Sequence, residues 1–330
     1  MRPSLTILVA LLGAAPFARG QNGPKSGSGP QPRSQIQSEP VQRPKLLGLA
    51  HVAFYTGDFA NSRQYFSDYL GYTETLALKR PQPDGGTDSI TWMTAYKVND
   101  DQVIELFPEK PGRPNPANKL VHIGLLTDDA EGMRLYLASR GCKVPPKNNR
   151  GKVMDNIYFN VTDPAGTLLE IVQYPPDGYT VRTRGQGLSD HRLSTRIGHV
   201  GVGVTNLDKA LDFYINTLGF TELWRSGPTP DKAWVHLKFP DSDQTLEMML
   251  YDSTQSGNMN HACLEVKDIK AVETALAGRT LPEGCHTKPP VIGKNDHKWQ
   301  LNTYNIDGTR VEFMEDHAWD GAPPPILQGK

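Results

Sequence analysis

Four histidines and four glutamates recur along the chain in a fixed order, and each histidine is followed by its glutamate after 48 to 54 residues. Each histidine lies in a short apolar stretch such as HVGVGV, and each glutamate lies between apolar residues, as in IELF and LEMM. A carboxylate in such surroundings is costly to bury unpaired. Imidazole nitrogens and carboxylate oxygens together suit a divalent metal ion. The pattern therefore predicts metal binding, with eight candidate ligands: His51, Glu105, His122, Glu170, His199, Glu247, His261 and Glu312.

The residue two positions after each of these histidines shares its face of the strand, because side chains alternate along a strand. These positions hold Ala53, Gly124, Gly201 and Cys263, of which three are very small. They leave room for a bound ligand, although tight packing of two sheets would also explain them. Five further histidines do not recur, and we interpret them as structural or solvated: His191, His236, His286, His297 and His317.

The sequence around the recurring residues forms four related units, which begin near residues 46, 120, 197 and 259. In each unit a strand carries the histidine, a polar residue fits a helix N-cap, and a glycine stands where the helix should end. Three more strands follow, the last of which carries the glutamate. This order of strands and helix in each unit predicts an α+β fold of four βαβββ modules. The N-cap candidates are Asp58, Asp128 or Asp129, Asn206 and Asp268, and the terminal glycines are Gly71, Gly141, Gly219 and Gly278.

Turn formers and charged residues between the second and third units divide the chain into two halves. We predict one domain of two modules over residues 45–174 and another over 196–316. Residues 175–195 are the predicted linker and 317–330 the predicted tail.

The first residues differ in character from the rest of the chain. Arg2 precedes an apolar run from Leu5 to Ala15, and small residues follow at Ala18 and Gly20. This pattern predicts a signal peptide over residues 1–20 and an exported protein, because the run is short for a membrane span. Residues 21–44 are polar and rich in Gly, Ser, Pro and Gln, which is typical of a disordered linker.

Composition limits the classes of partner. The chain has 35 basic and 36 acidic residues, so it shows no electrostatic footprint for nucleic acid. No later stretch is long and apolar enough for a stable membrane span. Three cysteines do not make a dense disulfide framework, so stability must come from packed cores. The expected partner is a small-molecule substrate, and the oligomeric state is left open.

The stretch HVGVGVTNLDKALDFYINTLGF, residues 199–220, resembles the strand–helix motif of glyoxalase I. Glyoxalase I belongs to the vicinal oxygen chelate superfamily, with extradiol dioxygenases, epimerases and bleomycin-resistance proteins. The resemblance extends over residues 45–316 and implies that paired βαβββ modules form two glyoxalase-like domains. It also implies one ligand from the first strand and one from the last strand of each module. The first set would be His51, Glu105, His122 and Glu170, and the second His199, Glu247, His261 and Glu312.

The same resemblance implies a glyoxalase-like lyase or isomerase that depends on a divalent metal ion, which would be Zn, Ni, Mn or Fe. Such an ion binds two neighbouring oxygens of a substrate and stabilises an enediolate as a Lewis acid. In bacterial glyoxalase I a ligand glutamate also moves the proton next to the carbonyl. Glu170 and Glu312 match that position and are the predicted catalytic residues. An exported protein would not meet the cytoplasmic glutathione adduct, so the substrate is expected to differ.

Two alternative functions remain open from the sequence. His199, His261 and Glu312 could form the facial triad of an extradiol-type dioxygenase. However, Asn160 and Asn302 stand where the dioxygenase motif has a tyrosine, and Glu247 would crowd the iron. The other alternative is a non-catalytic protein that binds and sequesters a small molecule, as bleomycin-resistance proteins do, although those typically lack the metal ligands.

Overall fold

Two curled, mixed β-sheets carry the four histidine-containing strands at their centres. The computed structural model describes residues 41–82, 89–226, 234–250, 259–294 and 296–322. The predicted signal peptide, most of the predicted linker 21–44 and the end of the tail lie outside these residues. Among the described helices, none combines the length and apolar character needed to cross a membrane.

The first sheet has eight strands in the order β2-β3-β4-β1-β5-β8-β7-β6. The two histidine strands, β1 and β5, pair antiparallel at its middle, and each pairs in parallel with the glutamate strand of its own module. The strands are β1 (Leu46–Thr56), β2 (Thr73–Pro81), β3 (Ser89–Lys97), β4 (Val103–Pro108), β5 (Leu120–Thr127), β6 (Asn149–Arg150), β7 (Ile157–Thr162) and β8 (Leu168–Gln173). The helices are α1 (Phe59–Arg63), which continues as a π-helical segment (Gln64–Tyr69), and α2 (Ala130–Ser139).

The second sheet repeats this plan in the order β10-β11-β12-β9-β13-β17-β16-β14. Its fourth module has one more short strand than predicted, because β15 forms a hairpin with β16. The strands are β9 (Ile197–Val204), β10 (Thr221–Ser226), β11 (Trp234–Lys238), β12 (Thr245–Leu250), β13 (His261–Val266), β14 (His286–Thr287), β15 (Val291–Ile292), β16 (Trp299–Tyr304) and β17 (Arg310–Glu315). Helix α3 (Tyr179–Arg182) lies between the sheets in sequence. The helices of this half are α4 (Leu207–Leu211), which continues as a π-helical segment (Asp212–Thr217), and α5 (Ile269–Ala277).

The predicted helix caps are confirmed. The side chain of Asp58 accepts a hydrogen bond from the Asn61 amide, and Asn206 caps α4 in the same way. Asp129, and not Asp128, caps α2, while Asp268 caps α5. These bonds satisfy backbone amides that would otherwise lack a partner at the start of each helix.

The terminal glycines divide into two types. Gly71 and Gly219 have φ angles of +86° and +82°, a conformation that favours glycine. Gly278 instead caps α5 with an ordinary φ of −83°. The helix predicted between Asn206 and Gly219 is α-helical only as far as Leu211 and π-helical beyond it. The π-helical segment buries two adjacent aromatic residues, Phe213 and Tyr214.

Alternation along β1 separates the packed core from the candidate ligands. Val52 and Phe54 are fully buried in the hydrophobic core, which also contains Phe66 from the first π-helical segment. Phe66 stacks on Tyr96 of β3, with ring centroids 4.9 Å apart. His51 alternates with Val52, so its imidazole lies on the opposite face of the sheet. The helices therefore cover one face, and the candidate ligands occupy the other.

Buried glutamines join the two sheets. The Gln102 side chain accepts from the Ile197 amide and donates to the Leu49 carbonyl, while Gln244 accepts from the Leu49 amide and donates to the Ile197 carbonyl. The segment predicted as a linker is anchored as well, because the Lys97 ammonium donates to two of its carbonyl groups. These bonds fix β1 beside β9, so both sets of candidate ligands are carried by one compact unit.

Candidate metal centres

The first sheet brings His51, Glu105, His122 and Glu170 together. Because β1 and β5 pair antiparallel, the Nε2 atoms of His51 and His122 come within 2.9 Å of each other. The parallel neighbours add the carboxylates: Glu105 Oε2 is 3.6 Å from His122 Nε2, and Glu170 Oε1 is 3.6 Å from His51 Nε2. The four predicted side chains of this half therefore meet at one place.

The second sheet assembles the other four candidates around His261. Its Nε2 atom lies 3.2 Å from His199 Nε2 and 3.2 Å from Glu312 Oε2. Glu312 Oε2 is also 3.4 Å from His199 Nε2, and Glu247 Oε2 is 3.5 Å from His261 Nε2. Both imidazoles are almost completely buried.

Two glycines make room for these imidazoles. Gly124 lies opposite His51 across the β1–β5 pair, and Gly201 lies opposite His261 across the β9–β13 pair. A Cβ atom at Gly124 would be 2.3 Å from His51 Cε1, and one at Gly201 would be 1.9 Å from His261 Cε1. The small residues predicted to leave space for a ligand therefore accommodate the histidine of the facing strand.

Among the described residues, three donors in each half converge within 4.8 Å of one another. The first group is His51, Glu105 and His122, and the second is His199, His261 and Glu312. Burial lowers the pKa of both His51 and His199 to about 4, so their rings are neutral at pH 7 and can offer a lone pair. Two imidazole nitrogens and a carboxylate oxygen in a buried cluster fit a divalent metal ion.

Glu312 is held in its ionised form. Burial would raise its pKa, but Arg310 and His261 outweigh that effect, so the pKa lies well below the usual range. Arg310 donates to Glu312 Oε1 at 2.7 Å, which leaves Oε2 facing the two imidazoles. Arg310 itself donates to the side-chain oxygen of Asn302. This arrangement suits a permanent anionic ligand better than a group that must accept a proton.

Glu170 is the corresponding carboxylate of the first half, and its electrostatics are opposite. Leu168 takes the place of Arg310, two residues before the glutamate. Burial raises the pKa of Glu170 to about 7; His122 partly counters this rise, and Glu105 adds to it. A carboxylate with a pKa near 7 can both accept and return a proton at neutral pH.

His236, interpreted from sequence as structural or solvated, lies beside the second set. Its Nε2 atom is 3.2 Å from Glu247 Oε1, and its ring stacks on Trp224 with centroids 4.3 Å apart and planes at 18°. Burial would raise the pKa of Glu247, but His236 and the other nearby histidines lower it to about 2. A signal was present in the sequence: the turn after Lys238 pairs Lys238 with Thr245, which places His236 opposite Glu247.

A cavity of about 350 Å³ adjoins the second set. The cavity is large enough for a small ligand, and both apolar and charged side chains line it together with His199. Its lining includes His199, Trp224, His236, Cys263, Lys298 and Met314.

Two βαβββ modules per sheet, with histidines on the central strands and glutamates beside them, define the class to which this chain belongs. The family model described as the glyoxalase/bleomycin resistance protein/dioxygenase superfamily matches residues 48–171 and 196–288, more than half of the chain. The chain is a member of that superfamily, and its predicted fold of two glyoxalase-like domains is confirmed.

The individual proteins that are similar to this chain include a dioxygenase and a glyoxalase. The uncharacterized protein YaeR of Escherichia coli K12 is 30% identical over 141 residues, which cover 39% of this chain and 99% of YaeR. The 2,3-dioxygenase LapB of Pseudomonas sp. KL28 superposes with a TM-score of 0.61 at 12% identity, over 88% of this chain and 97% of LapB. The Mn(II)-bound glyoxalase of Novosphingobium aromaticivorans gives 0.61 at 14% identity, over 87% and 86% of the two chains. At these identities, the similarity to the solved structures establishes the fold and leaves the reaction open.

Proposed function

We propose that this chain is a metal-dependent lyase or isomerase of the glyoxalase type, acting on a small substrate with two neighbouring oxygen atoms. The observation that carries the proposal is Glu170, a largely buried carboxylate with a pKa near 7 that lies 3.6 Å from His51 of the first ligand set. Proton transfer next to a carbonyl needs such a group, whereas a purely structural glutamate would be expected to pair with a cation.

The residues of the first set have separate roles in this proposal. His51, Glu105 and His122 would hold the ion, which when bound supplies Lewis acidity toward the substrate oxygens. Glu170 would take the proton from the carbon next to the carbonyl and return it to the neighbouring carbon. Its side chain is only 17% exposed. Little bulk water therefore competes for the proton.

A second candidate function, ring cleavage by an extradiol-type dioxygenase, is favoured by one observation at the other centre. His199, His261 and Glu312 converge as a facial triad would require, and His199 also lines a cavity of about 350 Å³. Asn302 still stands where the dioxygenase motif has a tyrosine, and here its side chain accepts a hydrogen bond from Arg310. We therefore rank this function second.

The site of action is also a proposal. If residues 1–20 are a signal peptide and the protein is exported, its substrate differs from the glutathione adduct used in the cytoplasm. Candidate substrates are then small hydroxy- or keto-carbonyl compounds and adducts of other thiols.

Product analysis separates the candidate functions. The chain, reconstituted with Mn(II), Ni(II), Zn(II) or Fe(II), is incubated in deuterated water with hydroxycarbonyl compounds, thiol adducts and catechols, with and without oxygen. We expect anaerobic turnover of a carbonyl substrate, with most of the transferred hydrogen retained and little deuterium taken up from the solvent, because Glu170 is shielded from bulk water. Oxygen consumption with ring-opened catechol products would instead establish the dioxygenase. Binding without turnover under every condition would indicate the sequestering protein.

A further inference from the structure

Glu247 lies between two partners in the second half. Its Oε1 atom is 3.2 Å from His236 Nε2, and its Oε2 atom is 3.5 Å from His261 Nε2. Glu312, by contrast, points one oxygen at both imidazoles, at 3.2 Å and 3.4 Å. Among the described residues, the convergent donor group of this half contains Glu312 and omits Glu247.

In the first half, the glutamate at the corresponding position faces no histidine on the neighbouring strand. Glu105 corresponds to Glu247, and across the neighbouring strand Glu105 faces Ala95 where Glu247 faces His236. With only a methyl group there, Glu105 belongs to the convergent group with His51 and His122. The two halves thus differ in which carboxylate joins the imidazoles. They also differ in the residue that faces this glutamate on the neighbouring strand, which is Ala95 in the first half and His236 in the second.

The side chain of His236 is held firmly beside Glu247. Its ring stacks on Trp224, with centroids 4.3 Å apart, and it is only 7% exposed. A ring fixed by stacking and by a strand on either side has little freedom to turn away from the carboxylate. Hydrogen bonds to an ionised acceptor are about twice as strong as neutral ones, so the contact with Glu247 should persist.

We propose that His236 is a positioning residue that holds Glu247 out of the second metal centre and leaves His199, His261 and Glu312 as its three protein ligands. The inference rests on the metal-binding part of the proposed function and not on the reaction. Three protein ligands would leave a divalent ion with open coordination positions for substrate oxygens.

The test follows Co(II) binding at the second centre of the full chain, in a background in which His51→Ala and His122→Ala disable the first centre. In His236→Ala, which copies the alanine of the first half, Glu247 is released. We expect about fivefold tighter Co(II) binding or more, the size of a typical coupling between residues in contact. The visible absorption of Co(II) should weaken as its coordination number rises. His236→Gln, whose amide can still donate to Glu247, should behave like the parent.

Glu247→Gln completes a double-mutant cycle between His236 and Glu247. It should change Co(II) affinity by less than about twofold while His236 is present, and it should remove the gain in the His236→Ala protein. Weaker Co(II) binding in His236→Ala would overturn the inference, because His236 would then support or ligate the ion. An unchanged Co(II) spectrum and affinity in His236→Ala would also overturn it, although metal binding itself would stand. No Co(II) binding in any variant would refute metal binding as well as the inference.

Discussion

Replacing Glu170 with glutamine should reduce kcat by about a hundredfold to ten-thousandfold, the usual contribution of a general base. The amide has the same size and can still face His51, but it cannot accept a proton. The loss should therefore appear in kcat, with little change in substrate binding. The measurement is steady-state turnover per bound metal ion, because Glu170 is also a candidate ligand and its replacement can lower metal content.

Glu312→Gln is the matched control for this prediction. Arg310 keeps Glu312 ionised and occupies one of its oxygens, so the amide should mainly weaken metal binding in the second half. Turnover per bound ion at the first centre should remain close to that of the parent protein. If Glu312→Gln abolished turnover per bound ion and Glu170→Gln did not, the second half would be the working site and the base assignment would be wrong.

Gly201→Ala should disable the second centre. The new methyl group would lie 1.9 Å from His261 Cε1, a distance that real Cβ contacts essentially never show. Either the imidazole leaves its place or the paired strands separate, so metal affinity at this centre should fall by about tenfold to a hundredfold, as for other residues that support a ligand. The overpacked strand should also cost about 1–3 kcal/mol of unfolding free energy. Isothermal titration with metal and thermal unfolding measure the two effects.

Gly278→Ala is the control, because its Cβ would meet its nearest neighbour at an ordinary 3.6 Å. It should leave metal binding unchanged. Gly124→Ala should affect the first centre in the same way, since its Cβ would lie 2.3 Å from His51 Cε1. Full metal affinity in Gly201→Ala would show that His261 is not held where the structure has it.

The repeated features of the site were within reach of the sequence. Every module has the same order of strand, N-cap and helix. The histidines and glutamates of different modules can therefore be matched by their position in the sequence alone. Period-two alternation then predicts that they share one face of the sheet. The structure places these side chains in two clusters, in each of which three donors converge within 4.8 Å of one another.

The features that differ between the halves were harder to predict. His236 and Arg310 each occur once, and their effects depend on cross-strand contacts that a repeat does not reveal. The opposite pKa shifts of Glu170 and Glu312 follow in part from Leu168 and Arg310, which precede them by two residues on the same face. The small size of Gly201 is evident from the sequence, but the imidazole that fills the space beside it comes from a strand about 60 residues later.

Metal content tests the central claim most directly. The purified chain, saturated with Mn(II) or Zn(II) and freed of excess ion, should carry two ions per chain at pH 8 by elemental analysis. At pH 6 the first centre should bind its ion more weakly than at pH 8. Burial would lower the pKa of His122, but Glu105 and Glu170 raise it above its ordinary value, so protons compete for that ring as the pH falls. A chain that binds no divalent ion at either pH, with any of Zn, Ni, Mn or Fe, would contradict the assignment of both metal centres.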